Sequence, residues 1–145
     1  MAATTLERDT DRMGKGAEAP EKVYLPLAAS AKILKGTIVM TNASGLALPG
    51  AVATGQICWG RAEDTVDNTG GAASALSVEV RQGVHKWFNS TAGDLIVQAD
   101  IGKTCFILDN QTVAKTDGTG TRSIAGRIVK IDTDGVWVRS ALPGA

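Results

Sequence analysis

Apolar and polar residues alternate along short stretches of the chain, a pattern typical of half-buried β-strands. The clearest case is the segment 75–88, where Leu76, Val78 and Val80 would point to one face of a sheet. Gly83 interrupts this alternation and is a candidate β-bulge. No stretch keeps a helical period over three turns. The pattern therefore predicts an all-β fold, a small antiparallel β-barrel or β-sandwich of short strands.

Turn residues separate these strands at short and regular intervals. Asn42 to Gly45 predicts the turn of one hairpin, and Asp132 to Gly135 predicts the turn of another. Asp64 to Ser74 and Thr116 to Arg122 are predicted loops. Further strands are expected at 37–41, 46–48, 56–63, 104–108, 111–115, 123–131 and 136–138.

Residues 1–21 hold eight charges and almost nothing apolar to bury. Such a segment cannot offset the entropy of its own ordering. We therefore predict an extended N-terminal arm over 1–21, flexible or ordered by a partner, and a β domain over 22–145. The charged residues Arg8, Arg12 and Lys15 are candidate contacts with a partner protein or a second copy.

The β domain is predicted to begin with an edge strand at 22–27. Val23 and Leu25 alternate onto one face, while Pro26 lacks the backbone donor that a central strand needs. A sheet edge can pair with another chain. Val23, Tyr24 and Leu25 are therefore candidate contact residues as well.

Charge and composition narrow the classes of function. Lys and Arg together equal Asp and Glu at 15 each, so the basic excess of a nucleic-acid binder is missing. No apolar run is long enough to cross a membrane. The polar start of the chain lacks the apolar core of a signal peptide, so we expect the protein to be made in the cytoplasm and to stay there unless a partner carries it out.

Candidate chemistry is sparse. Cys58 and Cys105 lack metal-site spacing and are interpreted as buried free thiols, with a disulfide as the alternative. His85 is interpreted as a cross-strand or interface residue. The paired Asp132 and Asp134 lack a closing acidic ligand and are typical of a turn. We predict no metal, no cofactor and no enzymatic activity.

The three tryptophans are assigned different roles by their neighbours. Trp59 and Trp137 lie among Ile and Val and are expected in the core. Trp87 and Phe88 follow the charged Lys86, so this pair is the candidate contact surface.

The stretch Gly83 to Ser140 resembles the C-terminal part of phage and prophage head decoration proteins, also called capsid cement proteins. The pieces that carry the resemblance are ADIGKTCFILDNQTVAKT, the glycine loop with Thr121-Arg122-Ser123, AGRIVKID and the ending DGVWV. The segments RAEDTVDNTGG and ALSVEVRQGV, within 61–84, look similar to the same family.

The resemblance implies a structural virion protein on the exterior of the capsid, assembled in the host cytoplasm. Its implied partner is the major capsid protein, whose lattice it would reinforce. It also implies a homo-oligomer, with a trimer favoured and a dimer possible. The resemblance carries over no active-site residue.

Two functions of other classes compete with this interpretation. One is a carbohydrate-binding surface module that uses Trp87 and Phe88 as a stacking platform. The other is a small hydrolase that uses His85 with a nucleophile nearby in space.

Overall fold

The computed structural model describes residues 1–12 and 22–140, and β-strands dominate the second of these ranges. Two 3-10 turns, Ala92–Asp94 and Gln98–Asp100, are the helical elements of the described chain. The strands are β1 (Lys22–Pro26), β2 (Lys32–Ile33), β3 (Ile38–Thr41), β4 (Ala47–Pro49), β5 (Ile57–Ala62), β6 (Val66–Asp67), β7 (Ser77–Arg81), β8 (Gly83–Trp87), β9 (Thr104–Ile107), β10 (Val113–Ala114), β11 (Ile124–Asp132) and β12 (Gly135–Ser140).

The strands form two five-stranded antiparallel sheets and a small ribbon. The first sheet has the order β1-β7-β5-β3-β4, and the second has the order β10-β9-β11-β12-β8. The ribbon pairs β2 with β6. The all-β prediction is confirmed, and the arrangement is sandwich-like rather than a closed barrel. A single bridge between Phe88 and Thr112 brings the two edges of the second sheet close together at one end.

The first sheet lies between the second sheet and the β2–β6 ribbon, and the burial of strand β3 reflects this position. All four of its residues are buried, so both of its faces pack against other parts of the chain. Ile38 and Met40 point into the core between the two sheets. Val39 points the opposite way, into a second core with Leu27 and Ile33. A strand with two buried faces needs apolar residues at consecutive positions, as this one has.

The core between the sheets draws on both of them. Met40 and Cys58 of the first sheet pack with Trp87, Ile107 and Val138 of the second. On three strands the core residues lie two positions apart, as the pleat requires: Ile38 and Met40, Cys105 and Ile107, and Val136 and Val138. The second core lies on the outer face of the first sheet, where the segment from Leu27 to Ile33 and the β2–β6 ribbon cover it.

The segment 75–88 differs from the single long strand that its alternation indicates. It divides at Gln82, where β7 of the first sheet ends, and Gly83 starts β8 of the second. Gly83 has φ +129°, a conformation that side-chain-bearing residues rarely adopt. The glycine therefore lets the chain cross between sheets, while Val78 and Val80 remain fully buried as their pattern predicts.

Glycine also shapes β11, which contacts β9 on one side and β12 on the other. The pairing of β11 with β9 shifts register between Ile124 and Gly126. Gly126 has φ +154°, and a Cβ there would overlap the carbonyl oxygen of Arg139 on β12. The glycine is therefore required by the close approach of the neighbouring strand.

We expect Gly126→Ala to lower the free energy of unfolding by about 2 kcal/mol or more, because strain and overlap with Arg139 add together. Gly93→Ala is the matched control, since Gly93 has ordinary φ and its added Cβ would meet nothing within 4 Å. Urea denaturation of both variants measures the difference. Equal midpoints for the two variants would contradict this account of β11.

Candidate functional site

The first twelve residues, here called the arm segment, end beside the outer edge of β8. The backbone N–H of Lys86 donates to the carbonyl of Asp11 at 2.9 Å. Next to this bond, Arg12 and His85 form an antiparallel bridge. The other side of β8 pairs with β12. The arm segment thus supplies a second partner to an edge strand, whose backbone groups would otherwise face solvent.

Further contacts fix the start of the arm segment. The side chain of Asn110 bonds both backbone groups of Thr4, accepting from its N–H at 2.9 Å and donating to its carbonyl at 3.1 Å. Gln111 Nε2 donates to the carbonyl of Ala2 at 2.6 Å. An amide side chain that pairs with a backbone in this way acts like one residue of a neighbouring strand.

The middle of the arm segment passes close to Gly36. The N–H of Arg8 donates to the carbonyl of Lys35 at 3.1 Å, and the buried Thr10 hydroxyl donates to the carbonyl of Gly36. Gly36 has φ +84°, and a Cβ there would overlap the carbonyl group of Arg8. Only glycine therefore permits this path of the arm segment.

The guanidinium of Arg8 occupies a socket of aromatic rings and carbonyl groups. Its Cζ lies 5.4 Å from the ring centroid of Trp87 and 4.9 Å from that of Phe88. Its nitrogens lie 3.4 Å from the carbonyls of Gln111 and Lys86. Burial lowers the pKa of Arg8, and the nearby Asp11 opposes that shift. Cation–π contacts of this kind are stabilising where water is partly excluded.

The two aromatic contact candidates therefore belong to the interior of this chain. Trp87 is only 2% exposed and lies in the core between the sheets, whereas the expectation placed it on an open contact surface. It points inward because it lies two positions from His85 on the inward face of β8. Phe88 is half-buried beneath Arg8. With the arm segment in place, the two rings do not form an exposed stacking platform.

Charge pairs tie the arm segment to both sheets. Lys86 Nζ lies 3.3 Å from a carboxylate oxygen of Asp11 and 2.8 Å from one of Asp134. The hydrogen bond to Asp134 is the main cause of the raised pKa of Lys86. On the first sheet, Arg61 lies 3.5 Å from Asp9 and also bonds Glu63. Glu7 accepts a hydrogen bond from the Thr65 hydroxyl.

Strand β1 presents the second candidate surface. It pairs with β7 on one side and is the edge of the first sheet, as its sequence predicts. Leu25 is buried and Val23 is half-buried against the second core, so both contribute to packing. Tyr24 is 72% exposed, and its hydroxyl donates to Glu79 at 3.0 Å. Of the three candidates on this strand, Tyr24 is the one that faces solvent.

His85 lies between the sheets and is fully buried. Neither ring nitrogen has a hydrogen-bond partner within the described residues. Burial, together with the positive charges of Arg61, Arg12 and Arg81, lowers the pKa of His85 to about 3. The neutral ring is therefore the stable form.

The structure also locates the two cysteines and bears on metal sites and membrane spans. Cys58 and Cys105 are free and buried, and burial raises the pKa of both thiols, that of Cys58 to about 11. In 1–12 and 22–140, no group of three or more His, Cys, Asp or Glu side chains is placed to hold a metal. No helix in these ranges is long and apolar enough to span a membrane.

The surface pockets are shallow and open. One of about 390 Å³ lies between the starts of β5 and β11 and is lined by Ile57, Arg122 and Ile124 among others. Two smaller ones flank the arm segment near Thr4 and Arg8. Pockets this open enclose only part of a ligand's surface, so they give little basis for a small-molecule site.

The structure brings together Arg8, Arg12, Trp87 and Phe88, and it places Tyr24 on a separate sheet edge. Lys15 lies outside the described residues. Sequence reasoning missed Gly36, Asn110 and Gln111, which hold the arm segment. Their positions in turns and loops indicate only local structure, so no signal in the sequence connects them to residues about 25 to 110 positions away.

We expect Gly36→Ala to displace the arm segment, because the new Cβ would overlap Arg8. Gly45→Ala is the control. It has a similar φ of +75° but open space around its Cβ, so both variants carry about 1 kcal/mol of backbone strain. Hydrogen exchange of residues 1–12 measures the effect. Exchange should be faster by about tenfold or more in Gly36→Ala alone, and equal protection in both variants would refute the contact.

We expect stability to fall as the pH drops from about 6.5 toward 3, because His85 binds a proton in the unfolded chain but resists it when folded. The stabilising effect is complete above the unfolded pKa and decreases by up to about 1.4 kcal/mol for each pH unit below it. In the His85→Phe variant, the pH dependence of stability comes only from the carboxylates. Urea midpoints measured from pH 7.5 to 4 should diverge between the two proteins, and parallel curves would contradict the burial of a neutral ring.

Comparison with known proteins finds no matching family model, no matching curated protein and no matching solved structure. The resemblance of Gly83 to Ser140 to head decoration proteins is therefore carried by the quoted motifs alone. The geometry of the two sheet edges is the structural basis on which a function can be argued.

Proposed function

We propose that this chain is a capsid decoration protein, a non-enzymatic virion component that binds the outer surface of an assembled phage head. Its partner in this proposal is the major capsid protein, and it acts as a homo-oligomer, with a trimer favoured. One observation carries the proposal. A rigid sandwich presents an exposed edge strand, β1, next to the point where the arm segment leaves β8.

The proximity of the two features follows from strand register. Lys22 at the start of β1 lies opposite Arg81 at the end of β7. Arg12 at the end of the arm segment lies opposite His85 on β8, and its Nε is about 4.0 Å from where a Cβ of Gly83 would be. The chain leaves β7 and enters β8 across Gln82. The start of β1 and the end of the arm segment therefore lie at the same corner of the sandwich.

Strand β1 is suited to pairing with another protein. Within the described residues it has one strand partner, β7, so its other side is open for strand addition. Tyr24 supplies a large, exposed, amphipathic side chain, a residue type enriched at interfaces. Lys22 and Glu79 form an ion pair of 3.2 Å beside it. Pro26 limits the length of any added strand, since it has no N–H to donate.

The binding that a cement protein needs is compatible with the open sheet edge at β1. Such a protein stabilises a lattice only by binding the assembled form better than the free subunits, so affinity spread over several coat subunits is sufficient. Balanced charge removes long-range repulsion between copies that bind densely to one shell. Shallow, polar contacts at a sheet edge supply such affinity without a deep pocket.

The first test is whether purified phage particles contain the protein at a fixed copy number relative to the major coat protein. We expect a constant ratio in mature heads and binding of the purified protein to undecorated heads. Absence from particles together with failure to bind undecorated heads would overturn the proposed function.

The second test addresses β1. We expect Tyr24→Ala to weaken binding to undecorated heads by about tenfold, the loss typical of one aromatic interface anchor. The control is Ile124→Ala, which removes a side chain of 53% exposure from the other sheet. It should bind like the wild type. If both variants bind normally, the head-binding surface is not β1, even where the wild-type protein decorates heads.

A further inference from the structure

The groove that holds the arm segment has a specific shape and chemistry. We call it the arm groove, and it is formed by Gly36, Lys86, Asn110, Gln111 and the Trp87–Phe88 ring pair. It provides backbone pairing at Lys86, amide pairing at Asn110 and a guanidinium socket over the two rings. These features match a segment with an arginine four residues after a backbone-paired threonine, as in Thr4 and Arg8.

Each contact in the arm groove joins residues far apart in sequence. Thr4 and Asn110 are 106 positions apart, and Arg8 and Gln111 are 103 apart. None of these contacts depends on the arm segment and the groove belonging to the same copy. An identical arm segment from a second copy would make the same hydrogen bonds, ion pairs and cation–π contacts. Exchange of such an element between identical chains costs little free energy.

The connecting chain is long enough for exchange. Residues 13–21 join Arg12 to Lys22, and ten Cα–Cα steps reach about 33 to 36 Å when extended. Within one copy the gap is shorter. Arg12 and Lys22 each lie about 5 Å from their strand partners, which are four residues apart, so the two ends are separated by at most about 24 Å. The connection is therefore longer than the gap within one copy by about 9 Å or more, so its length does not tie the arm segment to its own groove.

We propose that residues 1–12 of one copy occupy the arm groove of a second copy in the oligomer. The arm segment thereby holds the copies together by the contacts seen here within one chain. This inference deepens the proposed function and rests on its oligomer, but it does not depend on which surface binds the head. It commits the groove to one occupant, the arm segment of an identical chain.

The native Lys86 provides the test. Its Nζ lies 3.3 Å from Asp11 of the arm segment and 2.8 Å from Asp134 of its own domain, so a zero-length carbodiimide cross-linker can form an amide at either carboxylate, with loss of water. Equal amounts of ¹⁴N- and ¹⁵N-labelled full-length protein are unfolded, mixed and refolded together. Cross-linked peptides are then analysed by mass spectrometry.

We expect about half of the Lys86–Asp11 links to join a light to a heavy peptide, as random exchange between equal pools requires. The Lys86–Asp134 links serve as the internal control and should join peptides of one isotope. If the Lys86–Asp11 links also join peptides of one isotope, the arm segment stays on its own copy and the proposal is wrong.

A second measurement tests the proposal if too few Lys86–Asp11 cross-links form to be analysed. Thr4→Cys and Asn110→Cys proteins of different mass are mixed and refolded, then oxidised with air, and the proposal expects a disulfide between the two masses. Failure to form this heterodimer overturns the proposal. Light scattering on the same samples measures the oligomeric state. An oligomer without exchange refutes only the contact between the arm segment and a second copy, whereas a monomer also refutes the proposed oligomer. Head binding is tested separately and can survive either result.

Discussion

The unpaired backbone groups of an edge strand must bond to water or to another segment, and this requirement shapes the outer strands β8 and β1 of the two sheets. Strand β8 would be an open edge of the second sheet, but the arm segment pairs with Lys86 and bridges His85. Strand β1 is the corresponding edge of the first sheet and keeps one side open. Open edges promote pairing with other chains. One edge is thus covered by an arm segment, and the other stays available.

The fold class followed from periodicity because the core depends on it. Val78 and Val80 alternate in sequence and are fully buried in the structure, whereas Leu76 of the same pattern precedes β7 and is 43% exposed. Periodicity does not specify which sheet a strand joins. The alternation in 75–88 is continuous enough to suggest one strand, yet the sheets change at Gly83. That choice depends on contacts with distant strands, which a local pattern does not contain.

The candidate site was less predictable than the fold for a related reason. The composition of the arm predicts only that it cannot form a core. It does not predict contacts between the arm and a surface that distant parts of the chain form. The position of Arg8 over Trp87 and Phe88 needs three segments to meet. Trp87 was assigned to a contact surface because Lys86 precedes it, although alternation along β8 turns the two side chains to opposite faces. Tyr24 shows the same rule correctly, since its buried neighbours Val23 and Leu25 leave it facing out.

His85 connects the arm segment with the interior of the sandwich. Its backbone pairs with Arg12 while its ring lies between the sheets, so one residue belongs to both the covered edge and the core. The arginines around it are partly neutralised by carboxylates, as Arg61 is by Glu63 and Asp9. Removing the arm segment would take away Asp9 and leave Arg61 with less compensation. The carboxylates of the arm segment therefore add to its backbone contacts, because Asp9 and Asp11 lie beside the basic residues Arg61 and Lys86 of the strands.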